Sequence, residues 1–505
     1  MNSAADLLGP EGPFAREVPG FAARASQQVM ASAVEQAIAD REMLIAEAGT
    51  GTGKTFAYLV PALLSGKRVI ISTGTKTLQD QLFHRDLPRV QGVLDAHVRT
   101  SLLKGRANYL CLHRLEQTSQ DGRLGNREQV TQLHRIRAWA RRTQTGDRAE
   151  LAEVPEDSSL WPRTTSTIEN CLGSECPLFA DCFVVKARRA AQEADLVVVN
   201  HHLLFADLAM KQEGFGEILP GAHAFILDEA HQIPELAGQF FSVSLTSRQL
   251  GELARDTLAE CGEVSGALAT LQPAIEALAP VLARLRLALD RFPARGAFTE
   301  IDRDPDVDRE LATLHAALSA LAEAVGLHAD RSRGFASVLE RIELQTARLT
   351  QFREGDAVGW VNWYEMTPHG FALHATPLDL AEPLREMRAR THAAWIFTSA
   401  TLSVAGRFDH YARQLGLDDP VAVSLDSPFD YARQALAYLP SGLPDPGAAD
   451  YTERVVLATL PVLTASRGRA FLLFTSHRAL RRAAELLADR VPYPLFVQGS
   501  APRHQ

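Results

Sequence analysis

Two short segments, far apart in the chain, constrain the fold more than anything else in it. The first is Ala48-Gly49-Thr50-Gly51-Thr52-Gly53-Lys54-Thr55, and the second is Phe225-Ile226-Leu227-Asp228-Glu229-Ala230-His231. Met43 to Glu47 reads as a buried strand and Lys54 to about Leu64 as a helix, so the first segment has the strand–loop–helix setting of a phosphate-binding loop. Glycines there let backbone N–H groups approach phosphate oxygens, and the helix N-terminus adds a favourable dipole. Lys54 would sit on the β/γ-phosphates and Thr55 would ligate Mg²⁺. Asp228 closes an apolar strand, where it can reach the same metal through water, and Glu229 can polarise the attacking water. The plain alternatives are a glycine turn with a surface lysine and an acidic helix cap. Each loses ground because the other segment is present.

The strand pattern fits an α/β chain with a parallel sheet. Residues 21–40 read as a helix, Lys67 to Thr73 as a second apolar strand, and Thr77 to Leu82 as the start of a helix. Asp195 to Asn200, Ala224 to Leu227 and Ala394 to Phe397 read as further buried strands. Residues 105–190 interrupt this pattern with polar, Arg-rich sequence. Residues 241–350 interrupt it again with Leu and Ala at helical spacing, as at Leu311, Leu314, Leu318 and Leu321. Trp360 to Thr376 reads as a β-hairpin. A second α/β unit is expected from about 406, with Ala470 to Phe474 as its clearest strand.

Four cysteines lie between the two nucleotide segments: Cys111, Cys171, Cys176 and Cys182. Thiolates bind soft metals, and a four-cysteine set suits either a [4Fe–4S] cluster or zinc. Structural zinc more often uses C-x2-C pairs, which are missing here. Four unrelated core thiols remain a third reading. Cys261 falls in the helical stretch and reads as an ordinary buried thiol. Five cysteines in 505 residues are too few for a disulfide scaffold. With no apolar run long enough to span a membrane and no signal-peptide pattern in Met1 to Pro19, a cytoplasmic chain with no membrane partner is expected. The net charge of −9 argues only weakly against nucleic acid, because a local groove can be basic on an acidic protein.

The order of the motifs is more informative than any one of them. Arg24 and Gln27, the glycine loop, Ser72-Thr73-Gly74-Thr75, the acid segment, Ser399-Ala400-Thr401-Leu402 and Leu472 to His477 follow one another as in superfamily 2 helicases. With LLKGRANYLC at 102–111, NCLGSECP at 170–177, DCFVVKAR at 181–188 and VVVNHHLL at 197–204, the whole chain resembles the XPD-like iron–sulfur branch. Within that branch it resembles the bacterial DinG/YoaA helicases, and YoaA the more closely.

That resemblance implies two RecA-like domains, the second incomplete, with an iron–sulfur domain and a helical Arch domain inserted in the first. The implied boundaries are 1–100, 195–240 and 356–405 for the first RecA-like domain, 101–194 for the iron–sulfur domain, 241–355 for the Arch and 406–505 for the second RecA-like domain. It implies ATP-driven 5′-to-3′ unwinding that starts on single-stranded or forked DNA, in replication or repair and alongside proteins of those processes. Cys111, Cys171, Cys176 and Cys182 match the cluster ligands, and Lys54, Asp228 and Glu229 the ATPase residues. Arg24, Gln27, Ala48 to Thr55 (Ala48, Gly49, Thr50, Gly51, Thr52, Gly53, Lys54, Thr55) and His231 match the ATP contacts, with Thr55 and Asp228 on Mg²⁺. Thr73, Thr75, Ser399 and Thr401 match the DNA-contact and coupling positions. Family members continue with a segment like FWEGVD and then Q-x-x-G-R-x-x-R, whereas this sequence stops at Gln505 with neither. A truncated helicase is therefore expected, or a short form that binds ATP and DNA without unwinding. A zinc-stabilised DNA-binding protein is the reading from another class.

Overall fold

The computed structural model describes residues 3–120, 127–167, 170–213, 218–262, 264–354, 359–367 and 370–498; the end of the chain, on which the truncation expectation rests, lies outside them. The chain divides into two units. The first comprises Met1–Gly105, Thr167–Glu175 and Val184–Pro428, and the second Arg106–Ser166, Cys176–Phe183 and Phe429–Gln505.

Short runs of β-branched and aromatic residues build the first unit's main sheet. In chain order its strands are β1 (Met43–Ala48), β2 (Val69–Thr73), β3 (Thr100–Leu102), β4 (Leu196–Asn200) and β5 (Ala224–Asp228). Strands β6 (Val243–Thr246), β7 (Arg295–Ala297), β8 (Trp360–Thr367) and β9 (Gly370–Pro377) form a separate antiparallel sheet. The main sheet resumes with β10 (Ala394–Ser399) and β11 (Val421–Leu425). The main sheet has the order β11-β1-β10-β5-β2-β4-β3, and all its pairings are parallel. A parallel sheet is covered on both faces, so its strands need apolar residues at every position rather than at alternate ones. The side chains divide accordingly. Leu44, Val69, Ile71, Val198, Ile226 and Ile396 pack on one face with the helices Ala25–Asp40 and Lys54–Leu64. Ile45, Ile70, Val197, Phe225, Trp395 and Phe397 pack on the other with Phe205 and Leu384. Phe225 and Trp395 stack across β5 and β10 at 4.5 Å between ring centroids.

The stretch expected to be helical contains four long helices, Ser247–Glu260, Ala267–Leu289, Pro305–Gly326 and Arg333–Glu354, which share one core. The hairpin is β8 and β9, with Trp360 opposite Pro377. Two short strands, β6 and β7, flank it as outer strands of a four-stranded sheet.

In the second unit, the helices Leu112–Gln120, Arg127–Ala140 and Trp161–Thr164 are accompanied by bridges Tyr109–Asp147 and Leu110–Thr165. Trp161 is buried edge-on to Trp139. Helices Tyr451–Ala465 and His477–Ala488 pack through Val456, Leu463, Ala483 and Leu487. The strand expected at Ala470 to Phe474 does not form. Phe471 and Leu473 are 98% and 93% exposed, and no ladder among the described residues takes up the segment. Apolar composition gives a strand only where a neighbour completes its hydrogen bonds.

Candidate nucleotide site

In a parallel sheet the strand carboxyl ends share one edge, and loops leaving neighbouring strands converge there. The glycine loop leaves β1, the acid segment leaves β5, and the Ser399–Leu402 segment leaves β10 between them. The loop runs from Gly49 to Gly53 and opens the helix Lys54–Leu64. Gly53 has φ +86°, a left-handed conformation that suits glycine, and a Cβ there would lie 2.3 Å from Gln27 Nε2. Gly49 is crowded by backbone: its Cβ would meet Ser427 N at 2.7 Å. Thr52 Oγ1 donates to Gly49 O (2.6 Å), Ser427 Oγ donates to Thr50 O (2.8 Å), and Lys54 Nζ donates to Ala48 O (3.1 Å).

Gln27 is buried beside this loop on the helix Ala25–Asp40. Its Nε2 donates to Gly53 O at 3.0 Å, while its Oε1 is buried with no hydrogen-bond partner among the described residues. Arg24 stands at the same helix's N-cap, with its guanidinium near Gly53. The hydroxyls of Thr55 and of the fully buried Tyr58 are neighbours, and Tyr58 Oη donates to Asp228 Oδ2 at 3.0 Å. Burial pushes the Asp228 carboxyl up to about 6, and the neighbouring Glu229 charge adds to this; the Tyr58 bond and Lys54 pull the other way. A buried acid held in that state, beside a second acid and a threonine hydroxyl, is a donor set that fits a divalent cation.

Glu229 takes a left-handed backbone conformation (φ 56°), and its amide N–H donates to Asp228 Oδ1 at 3.0 Å. Ser399 Oγ lies 3.2 Å from Glu229 Oε2 and 2.8 Å from His231 Nδ1, which is itself 3.3 Å from Glu229 Oε2. The acid segment and the β10 segment therefore share one polar cluster. Thr73 is buried and donates to Thr75 O (3.2 Å); Thr75 is exposed and caps the helix Lys76–Gln81 by accepting from Leu78 N (3.2 Å). Thr401 is exposed.

The sequence reading passed over several participants. His201 is buried and neutral, its pKa lowered by burial to about 3. Its ring bridges Ser72 Oγ (2.7 Å) and Asp228 O (2.9 Å). Tyr58 was missed as well. The doubled histidine after VVVN was the available signal for His201, and the one-turn spacing from Thr55 was the signal for Tyr58.

Cys111, Cys171, Cys176 and Cys182 are half-buried and form no disulfide among the described residues, with Cys171 in the first unit and the other three in the second. Among the described residues no three His, Cys, Asp or Glu side chains form a metal-holding group. As a donor set they suit a thiolate-bound cluster, and Cys171 Sγ already accepts the Gly173 amide N–H at 3.4 Å, the type of bond that tunes cluster sulfur. Cys261 is a buried thiol in the helical core, as expected.

A DEAD/DEAH box helicase family profile matches residues 27–137. ATP-dependent DNA helicase YoaA of Haemophilus influenzae is 42% identical over 99% of this chain and 78% of its own length. The chain belongs to the YoaA/DinG helicase family. YoaA of Escherichia coli is also 42% identical, over 99% of the chain and 79% of its length. ATP-dependent helicase DinG of Mycobacterium tuberculosis is 32% identical over 95% and 75%. A solved XPD helicase aligns with a TM-score of 0.46 at 14% identity, covering 94% of this chain and 75% of its own. No helix among the described residues is long and apolar enough to cross a membrane.

Proposed function

We propose that this YoaA/DinG family member is an ATP-dependent DNA helicase of the iron–sulfur type. It loads on single-stranded or forked DNA and moves 5′ to 3′, in the cytoplasm, in replication or repair. The observation that carries the ATPase part is the convergence of Lys54, the Thr55–Tyr58 pair and Asp228–Glu229 at one edge of one parallel sheet.

The roles follow from the atoms. Gln27 Oε1, a buried acceptor without a partner, suits the amino group of adenine, and Arg24 lies beside it. Lys54 exchanges its bond to Ala48 O for phosphate oxygens, and the amides of Gly49 to Thr55 complete the cradle. Thr55 and Asp228 would hold Mg²⁺, which supplies neutralising charge to the phosphates. Glu229 orients the attacking water and takes its proton, while His231 and Ser399 fix its carboxylate. Thr73, Thr75, Ser399 and Thr401 meet the DNA backbone or couple its binding to hydrolysis. Cys111, Cys171, Cys176 and Cys182 would hold a [4Fe–4S] cluster, which would supply a covalent cross-link among the segments that carry them.

The test is ATP turnover of the anaerobically purified chain with and without single-stranded DNA, beside Lys54→Ala, together with unwinding of duplexes carrying a 5′ or a 3′ tail. Stimulated turnover that Lys54→Ala abolishes, and unwinding from the 5′ tail alone, are expected. Turnover that persists in Lys54→Ala refutes the site. Binding of both ligands without unwinding assigns the chain to the non-unwinding alternative, and unwinding from the 3′ tail refutes the polarity.

A further inference from the structure

Glu47 is the last residue before the glycine loop segment and faces Ser399 across the β1–β10 pairing. Its carboxylate is fully engaged. Oε2 accepts the backbone N–H groups of Leu402 (2.5 Å) and Ser403 (2.6 Å), and Oε1 accepts the hydroxyls of Ser403 (2.8 Å) and Ser424 (3.4 Å). A carboxylate with both oxygens taken up in this way neither ligates a metal nor moves a proton. It fixes the shape of what it holds, and here that is the far end of the Ser399–Ser403 segment. The near end is held separately, by Ser399 Oγ on His231 and Glu229. The same strand end continues the connection on its other side: Gly49 N donates to Leu425 O at 2.9 Å, and Ser427 Oγ donates to Thr50 O. The 399–403 segment is thus clamped between the two halves of the nucleotide site, the acid segment at one end and the root of the glycine loop at the other.

We infer that Glu47 is a positioning residue that transmits the state of the glycine loop to the 400–403 segment, so that nucleotide and single-stranded DNA affect each other's binding through it. The inference deepens the helicase reading and rests on it. A displacement of the loop root when phosphate binds moves Glu47, and Glu47 carries two backbone amides with it. Glutamine at this position keeps the shape but has one acceptor oxygen where the carboxylate has two, so it cannot hold the amide pair and the hydroxyl pair in the same way.

The experiment measures the Kd of a fluorescent oligo-dT with and without a non-hydrolysable ATP analogue and Mg²⁺, for the full chain, for Glu47→Gln, and for a Ser403→Ala/Ser424→Ala double variant. Nucleotide affinity alone, thermal midpoint and hydrogen exchange of the segment 400–403 are recorded in parallel. In the parent chain nucleotide should change DNA affinity by about 5-fold or more, the lower end of ordinary binding linkage. In Glu47→Gln the factor should fall below about 2-fold, exchange at Leu402 and Ser403 should rise, and nucleotide affinity alone should stay within about 3-fold. The double variant should lose part of the factor without losing the amide protection, and it stands in as the test should Glu47→Gln not fold. A merely structural role would lower the folded fraction and leave the linkage factor of the folded molecules intact. That outcome overturns the inference, as does unchanged exchange at 402–403. A parent chain that binds both ligands with no linkage also overturns it and leaves the helicase reading standing. A parent chain that binds neither nucleotide nor DNA overturns both.

Discussion

Replacing Tyr58 by phenylalanine removes one buried oxygen beside Asp228, and its consequence can be worked out. The ring is fully buried, and burial together with the Asp228 charge holds its phenol far above its usual pKa, so the hydroxyl remains a donor throughout the working pH range. Its partner, Asp228, already sits at about 6 instead of 3.8, with burial as the first cause. A hydrogen bond to a charged group contributes about 1.5–3 kcal/mol, so deleting the donor raises the proton affinity of Asp228 by roughly 10- to 150-fold. Protonated Asp228 cannot ligate Mg²⁺, and the metal has to displace the proton. The sign is therefore fixed. At pH 6 to 7 the variant should need more Mg²⁺ than the parent to bind ATP, by about 10-fold or more at the lower pH. The gap should close as pH rises towards 9, where both carboxyls are ionised. The assay is a Mg²⁺ titration of fluorescent ATP binding at several pH values, with thermal midpoints measured beside it. The phenylalanine ring keeps the packing, so loss of binding at every pH alike would point to collapse of the site. Equal Mg²⁺ requirements in parent and variant at pH 6 would refute the assignment of Asp228 as metal ligand and Tyr58 as its donor.

His201 and Asp228 should leave opposite marks on stability. His201 is neutral in the fold down to about pH 3 but protonates near 6.5 when unfolded, so its contribution is lost as pH falls through that window. Asp228 keeps its proton to about 6 in the fold but to only 3.8 unfolded, so its contribution falls as pH rises through the shared window. Mg²⁺ bound at Asp228 would remove its proton and leave the His201 trend exposed. Denaturant unfolding between pH 4 and 6 should show stability rising with pH more steeply, by up to about 1.4 kcal/mol per pH unit, when Mg²⁺ is present; parallel curves refute the pairing. His201→Ala should cost about 3–5 kcal/mol, because it opens a cavity and strands Ser72 Oγ and the Asp228 carbonyl, and a midpoint close to the parent's would refute the bridge. Cys176→Ser should lose iron and the brown absorbance near 400 nm together; a variant with full iron content would remove Cys176 from the ligand set.

The residues legible in the sequence are those whose spacing is set by a small rigid ligand. Phosphate geometry fixes the run from Ala48 to Thr55, and the strand before it and helix after it follow from ordinary periodicity. What stayed hidden depends on strand order, which local pattern does not encode. Glu47 reads as a polar residue ending an apolar strand until β10 and β11 are known to flank β1, after which its carboxylate has four donors within reach. His201 reads as a helix start until β2, β4 and β5 are seen side by side, with Ser72 and Asp228 at their ends. The short strands β6 and β7 lie in a Leu-rich stretch whose helical period drowns three- and four-residue signals. The error at Ala470 to Phe474 runs the other way. There the local signal for a strand is strong, yet Phe471 and Leu473 stand in solvent, because a strand is a property of a pair and not of a segment. The cysteines differ from both cases. Residue type alone leaves a cluster, zinc or core thiols open for them, and either metal-bound reading would make binding free energy part of the folding free energy, which no local pattern encodes.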